Sequence, residues 1–338
     1  MGRWVTVPSG TESRRVTIHD VARAAGVSRQ TVSRALNDKG EIDDSTKQRV
    51  LEAARTLGYR PSRFARGLVR QDTISVGLVI PDLLNPFFTE VAAAALEAAR
   101  ARGWHVLVYD TADSAQEELG TLQVIASQVD AVVGYFSRTE SEIEQWTRGL
   151  PVVLIDRGED AERFSSIRID GRDGVRAAVS HLVQAGHRRI GMLDHAARAE
   201  PSVRHAWFAD ALTACGLGDG PVCRAEQSVE GGERALENLL TQHPDVTAVF
   251  AFNDVIAIGA LRAARRTGRL VPRDLAVIGF DGVTLGTLVE PPLSSVALDI
   301  RRLGALAVEQ AARLLTGDSP LAPDDLVARA ELRLRAST

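Results

Sequence analysis

The chain has 338 residues, 45% apolar and 25% charged, with 40 Lys and Arg against 44 Asp and Glu for a net charge of −4. That balance suits a soluble globular protein of about two domains and excludes a disordered chain, a collagen and a disulfide scaffold. No run reaches 18 apolar residues and Met1 to Gly10 has no long apolar core, so no membrane span or signal peptide is expected. Cys215 and Cys223 read as free thiols in a reducing cytoplasm.

The charge is unevenly placed. Residues 1–70 carry 14 Arg and Lys against 7 Asp and Glu, a net of +7, which leaves −11 for residues 71–338. A small basic head on a large acidic body points to nucleic acid as a partner of the head alone. In the head, VTIHDVARAAGVSRQTVSRALN predicts two short helices. Thr17 is a candidate N-cap with Asp20 three residues on, and Ile18, Val21, Ala22 and Ala25 form one apolar stripe. Gly26 stands where a helix end favours a left-handed residue, and Ser28 caps the second helix. Val27 and Val32 occupy staple positions, and Val32, Ala35 and Leu36 are expected inside. A third helix is predicted from about Asp43.

Two helices joined by so short a turn form a helix-turn-helix. The second helix would expose Arg29, Gln30, Ser33 and Arg34. Arg can grip guanine O6 and N7, and Gln can grip adenine N6 and N7, in bidentate fashion. Next comes GYRPSRFARGLVR, too short to be a stable helix alone. Arg63 and Arg66 suit phosphates, and Leu68 among arginines suits a wedge that unstacks a base step in the minor groove.

From Thr73 the pattern becomes apolar strands alternating with Ala-rich helices. Strands are predicted over 74–80, 104–109, 131–135, 152–155, 189–193, 248–252, 275–279 and 295–298, with helices such as 90–102, 175–184 and 256–267 between them. Near-continuous apolar strands with crossover helices imply parallel sheets covered on both faces, and eight strands suit two doubly wound lobes. Several strands end in polar residues: Asp82, Asp110, Asp156, Asp194, Asn253-Asp254 and Asp281. Ligands bind beyond the carboxyl ends of such strands, so this recurrence points to a polar cleft. Catalytic signals are weak. There is no P-loop, GxSxG elbow or HExxH, the glycines at 216, 218 and 220 follow no strand, and the seven His show no metal spacing with the two Cys. The chain therefore reads as no enzyme, with no cofactor and no metal.

Taken together, the chain resembles the LacI/GalR family of bacterial transcription regulators from Val16 to about Arg335. The resemblance rests on VTIHDVARAAGVSRQTVSRALN, LGYRP at 57–61, IPDLLNPFF at 80–88, PVVLIDR at 151–157, FNDVIAIGALRA at 252–263, VPRDLAVIGFD at 271–281 and PPLSSV at 291–296. It implies an N-terminal extension over 1–15, an all-α helix-turn-helix head over 16–60, a hinge helix over 61–72 and an α/β effector and dimerisation domain over 73–338. The effector domain would resemble two-lobed periplasmic binding proteins, with lobe one at about 73–164 and 295–318 and lobe two at about 165–294 and 319–338. By that resemblance Arg29, Gln30 and Arg34 read bases, Thr17, Ser28, Thr31, Ser33, Arg63 and Arg66 are further DNA contacts, and Leu68 is the hinge leucine. Arg204 and Asp281 match the family's ligand-binding Arg and acid, and Phe87, Phe88, Ser137, Asp156 and Asn253 match other cleft positions.

The expected function is that of a cytoplasmic repressor, binding a near-palindromic operator as a homodimer under control of a small ligand, in first place a sugar. The alternatives are an activator, or a regulator responding to a nucleoside, a purine or a protein. The chain departs from the family's habit in Trp207 for a Gly, Asp194-His195 for Gly-Gly, Gly282 for an Asp, Leu298-Asp299 for Gln-Pro and Gly67 for a small polar residue in the hinge. The tail AELRLRAST has no sustained heptad, so no coiled-coil tetramer is expected.

Overall fold

Three helices make the first element group: α1 (Ile18–Ala25), α2 (Arg29–Leu36) and α3 (Asp44–Thr56). The computed structural model describes residues 18–36, 42–56, 73–147, 149–157, 161, 163–195 and 201–338. Thr17, Arg63, Arg66 and Leu68 lie outside the described residues. The chain divides into two compact units, Met1–Asp72 and Thr73–Thr338.

In the smaller unit the apolar positions of all three helices meet. Val21, Ala22, Ala25, Val32, Ala35, Val50 and Ala54 form one core, with Val27 and Ile42 packed against it. The turn is set locally: Gly26 takes φ +66°, and the Val27 amide donates to the Ala22 carbonyl at 3.1 Å. A side chain at Gly26 would meet no atom, so the glycine is required by backbone conformation rather than by space. The Ser28 hydroxyl accepts from the Thr31 amide at 3.1 Å and Asp43 accepts from the Thr46 amide at 2.9 Å, so both helix starts are capped by side chains. These hydrogen bonds, the Ser45 hydroxyl first, draw the Asp43 carboxyl down to about 2.

The larger unit is built by strand–helix alternation. Its first part holds β1 (Ser75–Ile80), α4 (Pro86–Ala101), β2 (His105–Asp110), α5 (Ala115–Ile125), β3 (Ala131–Gly134), α6 (Glu140–Thr147) and β4 (Val152–Ile155). Then come β5 (Ser165–Asp170), α7 (Arg172–Gln184), β6 (Ile190–His195), α8 (Val203–Ala214), β7 (Val222–Ala225), α9 (Val229–Gln242), β8 (Ala248–Ala251), α10 (Asp254–Arg266) and β9 (Ala276–Asp281). A 3-10 turn at Thr284–Thr287, β10 (Ser294–Leu298), α11 (Ile300–Thr316), a second 3-10 turn at Pro323–Leu326 and β11 (Val327–Arg333) complete it.

Among the described residues the strand order is β2-β1-β3-β4-β5-β11-β10-β9-β8-β6-β7. Every described pairing is parallel except β10 with β11. The lobes join at β5, whose Ser165–Ile167 pair with β4 and whose Arg168–Asp170 pair with β11. The buried strands β1, β3, β4, β8, β9 and β10 are apolar or small apart from Asp281 at the end of β9, as crossover helices on both faces require.

Two expectations change. The crossing expected before Ser295 falls after Leu298, because β10 pairs with β9 and β11 of the second lobe. Only α11 returns to the first lobe, and it packs closely on α4: a Cβ at Gly304 would lie 2.6 Å from the Ala94 Cβ. The three further strands, β5, β7 and β11, escape apolar patterning for a common reason. Their residues are half exposed and carry Arg, Asp or Glu, as in SSIRID, VCRA and VARAELR.

Candidate functional site

On the head, Arg29, Gln30 and Arg34 are exposed on α2, while Thr31 and Ser33 are half buried. The Ser28 hydroxyl is engaged by the Thr31 hydroxyl at 2.9 Å as well as by the Thr31 amide. Behind α2, the Arg49 guanidinium donates to the Ala25 carbonyl at 3.2 Å and ties α3 to the end of α1. The result is a small rigid frame presenting guanidinium and carboxamide groups on one face.

In the larger unit, carboxyl ends of strands from both lobes converge. Arg204, in the first turn of α8, is buried, and so is Asp281 at the end of β9. Their nearest atoms, Nη1 and Oδ1, stand 3.3 Å apart, an ion pair in which Oδ1 lacks a hydrogen bond of good geometry. Arg204 also donates to the Phe252 carbonyl at 2.5 Å, and its guanidinium carbon lies 4.4 Å from the Phe252 ring centre and 3.8 Å from that of Phe280. A carbonyl, a carboxyl and two aromatic faces thus surround one cation. Burial pushes the Asp281 carboxyl up to about 8; Arg204 pulls it down, while Asp254 and Asp156 push it further up. Asp156 follows β4 in the first lobe and takes φ +57°. Its charge is felt by Asp281 in the second, so the acids face one cleft.

The aromatic wall comes from the first lobe. Phe87, Phe88 and Tyr135 make an edge-to-face triad with centroids 5.0 to 6.3 Å apart. The Tyr135 hydroxyl is buried without a hydrogen-bond partner, and burial followed by Asp156 and Asp281 holds its proton on strongly. Tyr135 has no polar-cleft signature in its residue type, yet it directly follows β3, the same topological place as Asp156 after β4. Trp207 stacks on Phe280 at 6.5 Å, and these two rings lie where a Cβ at Gly171 would be, 2.8 and 2.6 Å away.

The other sequence candidates are already engaged by the protein. Asn253 is buried. Its Oδ1 accepts from the Ile256 amide at 2.9 Å and its Nδ2 donates to Gln227 Oε1 at 2.9 Å. Gln227 reaches on to His195 Nε2 at 3.0 Å, and the His195 ring lies 5.1 Å from that of Phe252. Ser137 is held by Glu118, to which its hydroxyl donates at 2.7 Å and its amide at 2.9 Å. Asp194 accepts from the Ser202 hydroxyl at 2.5 Å and its amide at 3.1 Å, fixing the entry to α8 that carries Arg204. A surface cavity of 450 Å³ lies toward the C-terminal half of α10, lined by Glu233, Arg262, Arg265 and Arg266; Glu233 is paired there with Arg262 and Arg266 at 2.8 and 3.3 Å. Among the described residues no cluster of His, Cys, Asp or Glu could hold a metal ion, and no helix is long and apolar enough to cross a membrane.

Both parts of the chain are similar to known proteins. Residues 17–62 match the family model of bacterial regulatory proteins of the lacI family, and residues 179–338 match that of the periplasmic binding protein-like domain. The chain is 34% identical to the catabolite control protein A of Priestia megaterium over 310 residues, 89% of this chain and 92% of that protein. A LacI family transcriptional regulator from Arthrobacter sp. FB24, solved in complex with lactose, superposes with a TM-score of 0.73 at 35% identity, covering 78% of this chain and 99% of that one. The lac repressor dimer bound to operator and an anti-inducer superposes with a TM-score of 0.72 at 25% identity, covering 96% and 99%.

Proposed function

The chain belongs to the lacI family of bacterial regulatory proteins, and on that premise we propose that this DNA-binding transcription regulator is a repressor whose grip on its operator changes when a sugar bridges the two lobes. It is not an enzyme. The observation that carries the reading is the buried Arg204–Asp281 pair, with Asp156 from the opposite lobe close enough to shift Asp281. A neutral polyhydroxyl ligand answers such a site: Arg204 donates to its oxygens, the acids accept from its hydroxyls, and the Phe87–Phe88–Tyr135 wall covers its apolar face. A bridging ligand favours one angle between the lobes and so changes the spacing of paired heads.

On DNA, Arg29, Gln30 and Arg34 read base edges, while Thr17, Ser28, Thr31, Ser33, Arg63 and Arg66 hold the backbone and Leu68 enters the minor groove. A near-palindromic operator follows from two-fold related heads. The homodimer is supported by exposed apolar residues: Leu84 is 91% exposed and Leu288 76% exposed, on the segments joined by the hydrogen bond from the Thr284 amide to Glu90 at 2.8 Å. The test is calorimetric titration of the full chain with lactose and a panel of other neutral sugars, repeated on Arg204→Ala. Binding by the wild type that vanishes in the variant is expected; equal affinity in both would overturn the cleft assignment.

A further inference from the structure

The backbone at the cleft acid is unusual. Asp281 takes φ +102° and Gly282 follows at φ +75°. A non-glycine residue there is strained and persists only where its surroundings hold it. The holding group is Asp254, a fully buried carboxyl on the first residue of α10. It does not cap that helix, since Asn253 already accepts from the Ile256 amide. Both of its oxygens reach across to the Asp281 segment instead. Oδ2 accepts from the Val283 amide at 2.8 Å. Oδ1 accepts from the Ser295 hydroxyl at 2.6 Å, and that hydroxyl accepts from the Gly282 amide at 3.1 Å. The two amides after Asp281 are thus bound to one carboxyl, one directly and one through a serine.

Room for this clamp is built in. A Cβ at Gly279 would lie 2.1 Å from the Asp254 Oδ1, and one at Gly282 would lie 2.2 Å from the Ala297 Cβ. A buried carboxyl is costly, and its position at a helix start would be better served by exposure. Its position next to Asp281 gives the cost a use.

We propose that Asp254 and Ser295 are positioning residues of the effector site: they lock the turn after β9 so that the Asp281 carboxyl is aimed at Arg204. This rests on the reading that Asp281 meets the effector. The charged and titratable groups facing Asp281 are Arg204 on α8, Asp254 on α10, Asp156 after β4 and the Tyr135 hydroxyl. Asp254 itself faces Arg335 in the C-terminal segment, and burial pushes its carboxyl up to about 7.

The experiment uses the full chain, wild type and the variants Asp254→Asn and Ser295→Ala, each checked for native circular dichroism. Carbon-detected NMR titration, with the Asp281 signal identified by its loss in Asp281→Asn, reads its protonation midpoint. Hydrogen–deuterium exchange reads the segment 282–287. Removing the Asp254 charge is expected to lower the Asp281 midpoint from about 8 by at least about one pH unit, and Ser295→Ala to speed exchange at 282–283 about tenfold. A merely structural Asp254 would leave the midpoint in place. An unchanged midpoint in Asp254→Asn, or unchanged exchange in Ser295→Ala, overturns the proposal. If Asp254→Asn does not fold, the Ser295→Ala exchange decides. Lactose calorimetry on Asp281→Ala separates the two readings: an undiminished heat there removes the effector role of Asp281, while the midpoint and exchange judge the clamp.

Discussion

The head and the cleft solve opposite problems. The head keeps its proposed DNA-reading groups outside: Arg29, Gln30 and Arg34 stand on one exposed helix, over a core of small apolar side chains. The cleft keeps its proposed effector-binding groups inside: Arg204 and Asp281, 77 positions apart in the chain, meet among aromatic rings. DNA is a large polyanion that comes to a surface, so exposure and positive charge suffice for the first encounter. A small neutral ligand must be enclosed, which means burying ionisable groups and perturbing their proton affinities. The two regions should therefore answer to different changes.

The largest contrast is expected from Arg204→Ala. It deletes the Arg204 contacts with Asp281 and the Phe252 carbonyl and two cation–π contacts in the interior, so a stability loss of about 2–3 kcal/mol should accompany loss of the ligand response. Operator binding by the head should remain, as a mobility-shift assay at low temperature would report. Loss of operator binding in a folded variant would mean that the two regions are not separable. Arg29→Ala is the counterpart in the head. It should cost about 1–3 kcal/mol of operator affinity and relax preference at one symmetric base pair, with stability unchanged. A uniform loss over all sequences would make Arg29 a phosphate contact.

Between pH 5 and pH 8 the body is where a pH dependence is expected. The Asp281 carboxyl is pushed to about 8 in the folded protein, against roughly 4 in an unfolded chain. Between those values the folded state keeps a proton that the unfolded state has lost, so stability falls as pH rises from about 4 to about 8. The unfolding midpoint of the body should drop by several degrees from pH 5 to pH 8, and Asp281→Asn should reduce that slope, leaving the part that Asp254, pushed up to about 7, contributes. Unchanged slope in the variant would assign the effect elsewhere.

Gly26→Ala probes the head in the same way. Its cost is the left-handed backbone, about 1–2 kcal/mol, and not a clash, so the head should melt earlier while the body's transition stays in place. The smallest change is expected from Gly67→Ala in the proposed hinge. It should tighten operator binding by at most about 1 kcal/mol, because less helix is left to order on DNA. An unchanged affinity would mean that this stretch is not helical in the complex.

Features that act over a few residues were legible in the amino-acid sequence. Ser28 and Asp43 cap the helices that follow them, Gly26 turns the chain, and continuous apolar runs become buried parallel strands. Such signals need no distant partner, because a cap or a left-handed turn is decided within three or four positions. What depends on neighbours far along the chain emerges with the folded core. It engaged Ser137 with Glu118 and Asn253 with Gln227, left the Tyr135 hydroxyl buried and unpaired, and kept β10 with the second lobe. It also turned Asp254, which looks like an ordinary helix-start acid, into a buried clamp on the segment after Asp281. Burial and strand pairing are properties of the assembled core, so a residue's type shows what bonds it can make, while packing decides which of them it makes.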